Sequence, residues 1–184
     1  MQEEHKWIQE VLKGDQQAYI HIIEKYKEPL YGIILRMTRN PHDAQDLVQE
    51  VFIKVYERLG QYEEKGSFKS WFYRVATNHC MDQFRKKRLV SSEMTDNLIV
   101  NEQHPEVIFL KKEKERRLEK LIATLPEDER LIILLRYRQE LTYEEISDST
   151  GYPLSTVRNK LHRAKKKMRK KMKEGKWHDD LSNY

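Results

Sequence analysis

Cysteine is nearly absent: Cys80 is the single one in 184 residues. A lone thiol can form no internal disulfide and has no CxxC partner, so neither a covalent staple nor a structural zinc is expected. Glycine and proline are scarce too, at 6 and 5 residues. That is roughly half the usual share, so the chain has few breakers and reads as all-α, not as a barrel or sandwich. No apolar run approaches the roughly 18 residues of a membrane span. Residues 1–20 carry acids and lack a small-residue cleavage site, so no signal peptide is expected and the protein is placed in the cytoplasm. The histidines His5, His21, His42, His79, His104, His162 and His178 are scattered. With no HExxH spacing or ligand cluster, each is expected at the surface, and neither a metal nor a cofactor is expected.

What is abundant is charge. Asp, Glu, Lys and Arg make 35% of the chain, against about 25% in an ordinary globular protein, and they are unevenly placed. Residues 1–60 hold 8 basic and 10 acidic side chains, whereas 153–176 hold 11 basic and 1 acidic. An excess this local is the electrostatic footprint of a nucleic-acid ligand, or of a solvated basic helix.

Apolar periodicity predicts a helix over Trp7–Lys27 interrupted at Gly14-Asp15, and a restart after Pro29 as a buried helix over Leu30–Met37. Asn40-Pro41-His42-Asp43 has an N-cap, a first-position proline and a first-turn acid, predicting a helix to about Leu59. Gly60–Ser67 is a break, and Phe68–Arg88 is helical again. Residues 89–106 carry four acids, no base and a proline, the composition of a flexible tether. Further helices are predicted over Phe109–Thr124 and Arg130–Tyr137. Thr142-x-x-Glu145 is a capping box opening a short helix that Gly151 closes. Pro153 then precedes a last basic helix. The expected architecture is two small helical domains, 1–88 and 107–174, joined by the acidic linker 89–106 and followed by a tail, 175–184.

Three constellations stand out. The capped helix, the Gly151 turn and the helix bearing Leu154, Val157, Leu161, Ala164 and Met168 on one stripe make a helix-turn-helix. Ser155, Asn159, His162 and Lys166 lie opposite that stripe, flanked by Thr156, Arg158 and Arg163, and can reach a major groove. Lys165, Lys167, Arg169, Lys170 and Lys171 extend the helix toward phosphates. Residues 68–88 interleave aromatics with Lys69, Arg74, His79 and Arg85-Lys86-Lys87-Arg88, a mixture that stacks unpaired bases. Trp71 and Phe72 fit a packed core as well. On the helix after Asn40, Ala44, Leu47, Val48, Val51 and Val55 share one face, yet Ile53 falls amid Asp46, Gln49 and Glu50 on the other. An apolar anchor with a charged rim is the pattern of a protein-binding surface.

DAQDLVQEVFIKVYERL, FKSWFYRVATN with its basic end, and LPEDERLIILLRYRQELTYEEISDSTGYPLSTVRNKLHRAKKKMRK resemble bacterial RNA polymerase sigma factors of the extracytoplasmic-function class. The resemblance runs over about residues 15–172, with a non-matching tether between its parts. It implies a transcription initiation factor whose first domain binds core RNA polymerase and melts the −10 element, and whose second reads the −35 element of promoter DNA. By position, Asp46, Gln49, Glu50 and Ile53 would contact the polymerase. Tyr62, Glu63, Glu64, Lys65, Gly66, Ser67 and Phe68 would form the loop around a flipped −10 base, and Lys69, Arg74, Asn78, Arg85 and Lys86 would hold the strand. Ser155, Thr156, Arg158, Asn159, His162, Arg163 and Lys166 would meet the −35 element. The helix opens Ser155-Thr156-Val157 where the family typically has Gly-Thr-Val, and carries Asn159 where it has Ser. Both differences bear on the promoter sequence and not on the domain type. The resemblance further implies an anti-sigma factor, membrane-bound, as inhibitor, no small-molecule substrate and no catalytic group. A free-standing helix-turn-helix regulator is the alternative. An enzyme built on a metal at Asp43, Asp46 and Glu50 lacks any further ligand motif.

Overall fold

The computed structural model describes residues 2–63, 66–90 and 107–174. Among them the regular elements are helices: α1 (Gln2–Leu12), α2 (Tyr19–Thr38), α3 (Pro41–Arg58), α4 (Phe68–Val90), α5 (Val107–Ala123), α6 (Glu127–Arg138), α7 (Tyr143–Thr150) and α8 (Leu154–Glu174). Of the linker expected over 89–106, Leu89 and Val90 form the end of α4, so the helix runs two residues past the expected boundary; residues 91–106 and the tail 175–184 lie outside the described residues.

The caps that punctuate the sequence form as expected. Gly14 turns the chain at φ 103° after α1, and Asn40 accepts from the backbone N–H groups of His42 (2.9 Å) and Asp43 (3.4 Å) to open α3. One boundary differs from expectation: α2 runs unbroken through Pro29. Proline's fixed φ is itself helical, and its cost is one lost hydrogen bond and a crowded turn. That cost is offset because Ile22 and Tyr26 before it and Leu30, Ile33, Ile34 and Met37 after it form one buried stripe. Each such side chain contributes about 1.5–3 kcal/mol by leaving water.

Helices α1–α4 wrap Tyr26, Phe52, Phe68 and Phe72, whose rings pack at centroid distances of 4.3–6.3 Å. Glu4 anchors α1, receiving the Tyr26 hydroxyl and lying 3.0 Å from Lys25 Nζ. Burial pushes its carboxyl up, but the bonds from Tyr26 and Lys25 outweigh this and hold it below the usual carboxylate range. Helices α5–α8 close around Ile132, Leu134, Leu135, Ile146, Val157 and Leu161.

The two helical units pack on each other. Leu131 and Leu135 of α6 approach Leu30, Ile33 and Ile34 of α2, leaving an apolar cavity of about 20 Å³ that Tyr73, Thr77 and Cys80 of α4 also line. Beside it, the Tyr73 hydroxyl donates to Gln139 Oε1 at 2.6 Å. The Thr77 hydroxyl donates to the Ser149 carbonyl, and Arg130 reaches the carbonyl of Arg36 at 3.4 Å.

Cys80 sits at this seam, 7% exposed. Burial, and then the charge of Glu50, push its thiol up to about 12. Since the thiolate is the reactive form, Cys80 in the native chain should resist thiol reagents and react only when the seam opens. Labelling rate against urea concentration measures this, and rapid labelling without denaturant would contradict it.

Candidate protein- and nucleic-acid-binding surfaces

Helix α3 divides as its periodicity predicts. Ala44, Leu47, Val48, Val51 and Val55 are buried, with Phe52 beside them, while Ile53 stands 57% exposed. Asp46 and Gln49 are exposed on the turns before it, and the steps of three and four residues align the three side chains on one face. Tyr56 extends the apolar surface, its ring 5.0 Å from Tyr19 at the start of α2. Glu50 stays 46% exposed but also bonds across to α4: its Oε2 lies 2.6 Å from His79 Nε2 and 3.4 Å from Gln83 Nε2. This corrects the expectation of surface histidines for His79, whose side chain is only 16% exposed. The Glu50–His79 pair straps α3 to α4.

A cleft of about 490 Å³ opens between the end of α3, the following loop and α4. Its lining includes Tyr62, Glu63, Gly66, Ser67, Trp71, Arg74 and Asn78. Tyr62 donates to the Gly66 carbonyl at 2.9 Å and packs its ring against Phe68 (5.3 Å) and Trp71 (5.6 Å). Ser67 caps α4 by accepting from Ser70 N–H at 3.1 Å. Trp71 is partly exposed at the cleft, whereas Phe72 is fully buried. Phe68 is 3% exposed, so it supports the loop from beneath and presents no face to a ligand, a correction to its expected place around a base. Lys69 is half-buried, its ammonium on the Gln139 carbonyl. Arg85 and Lys86 are exposed further along α4. Glu64 and Lys65 lie outside the described residues. Arg58 and Gln61 also line the cleft. Sequence reasoning missed both, and the only signal was their position at the helix end just before the loop.

The helix-turn-helix is formed by α7 and α8. Both bonds of the capping box are present, Glu145 N–H to the Thr142 hydroxyl at 3.1 Å and Thr142 N–H to the Glu145 carboxylate at 2.8 Å. Gly151 takes φ 71°, a conformation that strains any residue with a Cβ. Burial pushes the Glu145 carboxyl up. The Thr142 backbone and the Ser67 and Thr142 hydroxyls, with Lys69, outweigh that and hold it below the usual range.

On α8, Val157, Leu161 and Ala164 are buried, while Ser155, Arg158, Asn159, His162, Arg163 and Lys166 are exposed and Thr156 is half-buried. Ser155 lies inside the first turn, because the Pro153 carbonyl accepts the first helical bonds. Three lysines have partners within the fold instead: Lys160 on Asp128 at 2.8 Å, Lys165 over the Tyr137 ring, and Lys167 on both oxygens of Glu129 at 2.9 Å. Lys167, its side chain 46% exposed, is therefore a structural partner of a carboxylate that is 7% exposed, a pairing that competes with the phosphate contact expected from the run of bases. Lys167→Ala should lower stability by about 1–2 kcal/mol, since it strips a charged bond from a buried acid. Lys166→Ala should leave stability unchanged and lower the salt slope of DNA binding by about one. Urea melts and salt titrations distinguish the two.

Residues 22–90 match the sigma-70 region 2 family and residues 115–168 the sigma-70 region 4 family. The chain is 32% identical over 180 residues to the ECF RNA polymerase sigma factor SigW of Bacillus subtilis strain 168, covering 92% of this chain and 96% of that one. It is 30% identical to the ECF RNA polymerase sigma-E factor of Escherichia coli K12, covering 86% and 88%. Among solved structures, CnrH in complex with the cytosolic domain of CnrY superposes with a TM-score of 0.70 at 16% identity, covering 94% of this chain and 98% of that one. The sigma factor RpoE in complex with the anti-sigma factor NepR, from Bartonella quintana, gives 0.68 at 19% identity, covering 84% and 96%. Two family matches spanning most of the helical residues, and relatives at 30–32% identity along nearly the whole length, agree with the cap, cleft and helix-turn-helix geometry: the chain belongs to the sigma-70 family, in its extracytoplasmic-function (ECF) class.

Proposed function

We propose that this chain binds core RNA polymerase through α3 and directs it to promoters, reading the −35 element with α8 and holding the melted −10 strand on α4. Its working domains are 1–88 and 107–174, with 89–106 as linker and 175–184 as tail. The observation that carries this reading is the pairing, on one chain, of an exposed Ile53 rimmed by Asp46 and Gln49 with an outward basic face on α8. An apolar anchor of that kind has no use in a protein that meets DNA alone.

Each surface takes a share. Asp46, Gln49 and Ile53 contact the polymerase, with Glu50 as their tie to α4. Tyr62, Trp71, Arg74 and Asn78 receive an extruded base and its neighbours, whose stacking and phosphate contacts offset the few kcal/mol, about, of unstacking. Arg85 and Lys86 track the strand. Arg158 and Asn159 read base edges from the start of α8, and Arg163 and Lys166 hold phosphates. The factor makes and breaks no covalent bond itself. It acts in the cytoplasm, where polymerase and DNA are. An anti-sigma protein restrains it; CnrH, the solved relative, is described with the cytosolic domain of its partner, which supports a membrane-bound inhibitor here.

The test is a labelled promoter with and without core polymerase. The isolated chain should bind weakly and lose binding with salt, and the holoenzyme should bind specifically, because the polymerase fixes the separation of the two contacts. Tight specific binding without polymerase would favour a free-standing regulator.

A further inference from the structure

His79 belongs to the series of bases and aromatics on α4, yet the proposed function leaves it without a task. Arg74 and Asn78 line the cleft, whereas His79, one position on, turns to α3. Its Nε2 lies 2.6 Å from Glu50 Oε2, an oxygen that Gln83 Nε2 also approaches at 3.4 Å. A carboxylate only accepts, so Nε2 carries the hydrogen of this bond. Two donors from α4 thus converge on one oxygen of Glu50. The other oxygen, Oε1, has no partner among the described residues, and the side chain remains half-exposed. Glu50 stands three residues before Ile53 and one turn after Asp46, at the edge of the apolar anchor.

We propose that His79 is a positioning residue for the polymerase contact: it acts through Glu50, holding that carboxylate at the rim of the Ile53 surface, and its own charge sets how strongly the rim attracts a basic group of core polymerase. An imidazole changes charge between about pH 5 and 8. Neutral, the ring donates to Glu50 and leaves the charge of the carboxylate whole. Protonated, it keeps the bond but pairs that charge, and a cation on the polymerase must compete with it. Binding therefore disfavours the protonated ring, and affinity falls as the pH is lowered. By helix position the pair is flanked on α3 by Asp43, Asp46 and Lys54, the last bonded to Glu57. On α4 it is flanked by Cys80, Asp82 and Arg85, the last two 3.7 Å apart. From α2, Ile34 and Met37 lie beside Cys80. Carboxylates, lysines and arginines ordinarily titrate outside the imidazole range, which leaves His79 to set the pH dependence at this site. The inference rests on the assignment of α3 to the polymerase.

The test uses the full chain with a dye on its N-terminal amine, titrated with core polymerase at about pH 8 and about pH 6. His79→Gln places an amide donor where Nε2 stood and cannot titrate. The ratio of wild-type to His79→Gln affinity, in which the titrations of the polymerase itself cancel, should fall about two- to fivefold between the higher pH and the lower. His79→Ala frees Glu50 and should weaken binding at about pH 8 by a similar factor, a loss that His79→Gln restores. Glu50→Gln leaves the ring no charge to pair and should flatten the profile, which keeps the test in force if His79→Ala unfolds. Melting curves at both pH values confirm the fold of each variant. A strap that served the fold alone would lower the melting temperature of His79→Ala without making the His-to-Gln ratio depend on pH. A constant ratio overturns the inference, and so does a wild-type profile retained by Glu50→Gln. Ile53→Asp, titrated alongside, keeps the two failures apart. If it binds as wild type does, the assignment of α3 itself is removed; if it binds weakly while the ratio stays constant, only the role of His79 falls.

Discussion

Ile53→Asp is expected to weaken core polymerase binding by about 2 kcal/mol or more, roughly thirtyfold in affinity, and to leave the melting temperature of the free chain nearly unchanged. The residue is 57% exposed in the chain alone, so a carboxylate there remains hydrated and costs the fold little. In the complex the same position would be the desolvated centre of the contact. A charge buried there without a partner loses its hydration, and it adds a third acid beside Asp46 and Glu50. A pull-down or titration with core polymerase, run beside a thermal melt, decides the matter. Unchanged affinity would remove α3 as the polymerase surface, and a collapsed melt would mean that Ile53 packs inward.

The second large effect is expected at Arg158. Arg158→Ala should cost holoenzyme about 1–3 kcal/mol at the −35 element and relax the preference between matched and altered duplexes. Arg158 lies in the first turns of α8 and is exposed, in contrast to Lys160 two residues on, which is tied to Asp128. A guanidinium so placed can reach the two acceptors of a guanine edge. Affinity must therefore fall more on the matched duplex than on the altered one. An equal loss on both would make Arg158 a phosphate contact and move sequence reading to neighbouring side chains or to DNA shape.

Much of the fold was legible because it is written in local chemistry. Asn40-Pro41, Thr142-x-x-Glu145 and Gly151 act within a turn of themselves, and the structure places all of them as their side chains dictate. The Ile53 anomaly was legible for the same reason, since helical periodicity needs no knowledge of the partner. What escaped depends on groups far apart in the chain. Lys166 and Lys167 are neighbours in a run of bases, and only the position of Glu129, 38 residues before Lys167, gives the second of them a buried carboxylate as partner. His79 read as surface because Glu50, its partner, lies 29 residues earlier. Tyr73, Thr77 and Ser149 carry hydroxyls that a sequence assigns to solvent, and they proved to be the polar side of a buried seam. Pro29 misled for a different reason: the apolar stripe on both sides of it outweighs the local penalty.

The seam also ties the stability of one unit to that of the other. Tyr73 and Thr77 of α4 are buried with their hydroxyls on Gln139 and Ser149, so anything that parts the units wets apolar surface and polar groups together. Unfolding of the free chain should therefore be a single cooperative event, whereas a chain held with its units apart should lose them one at a time.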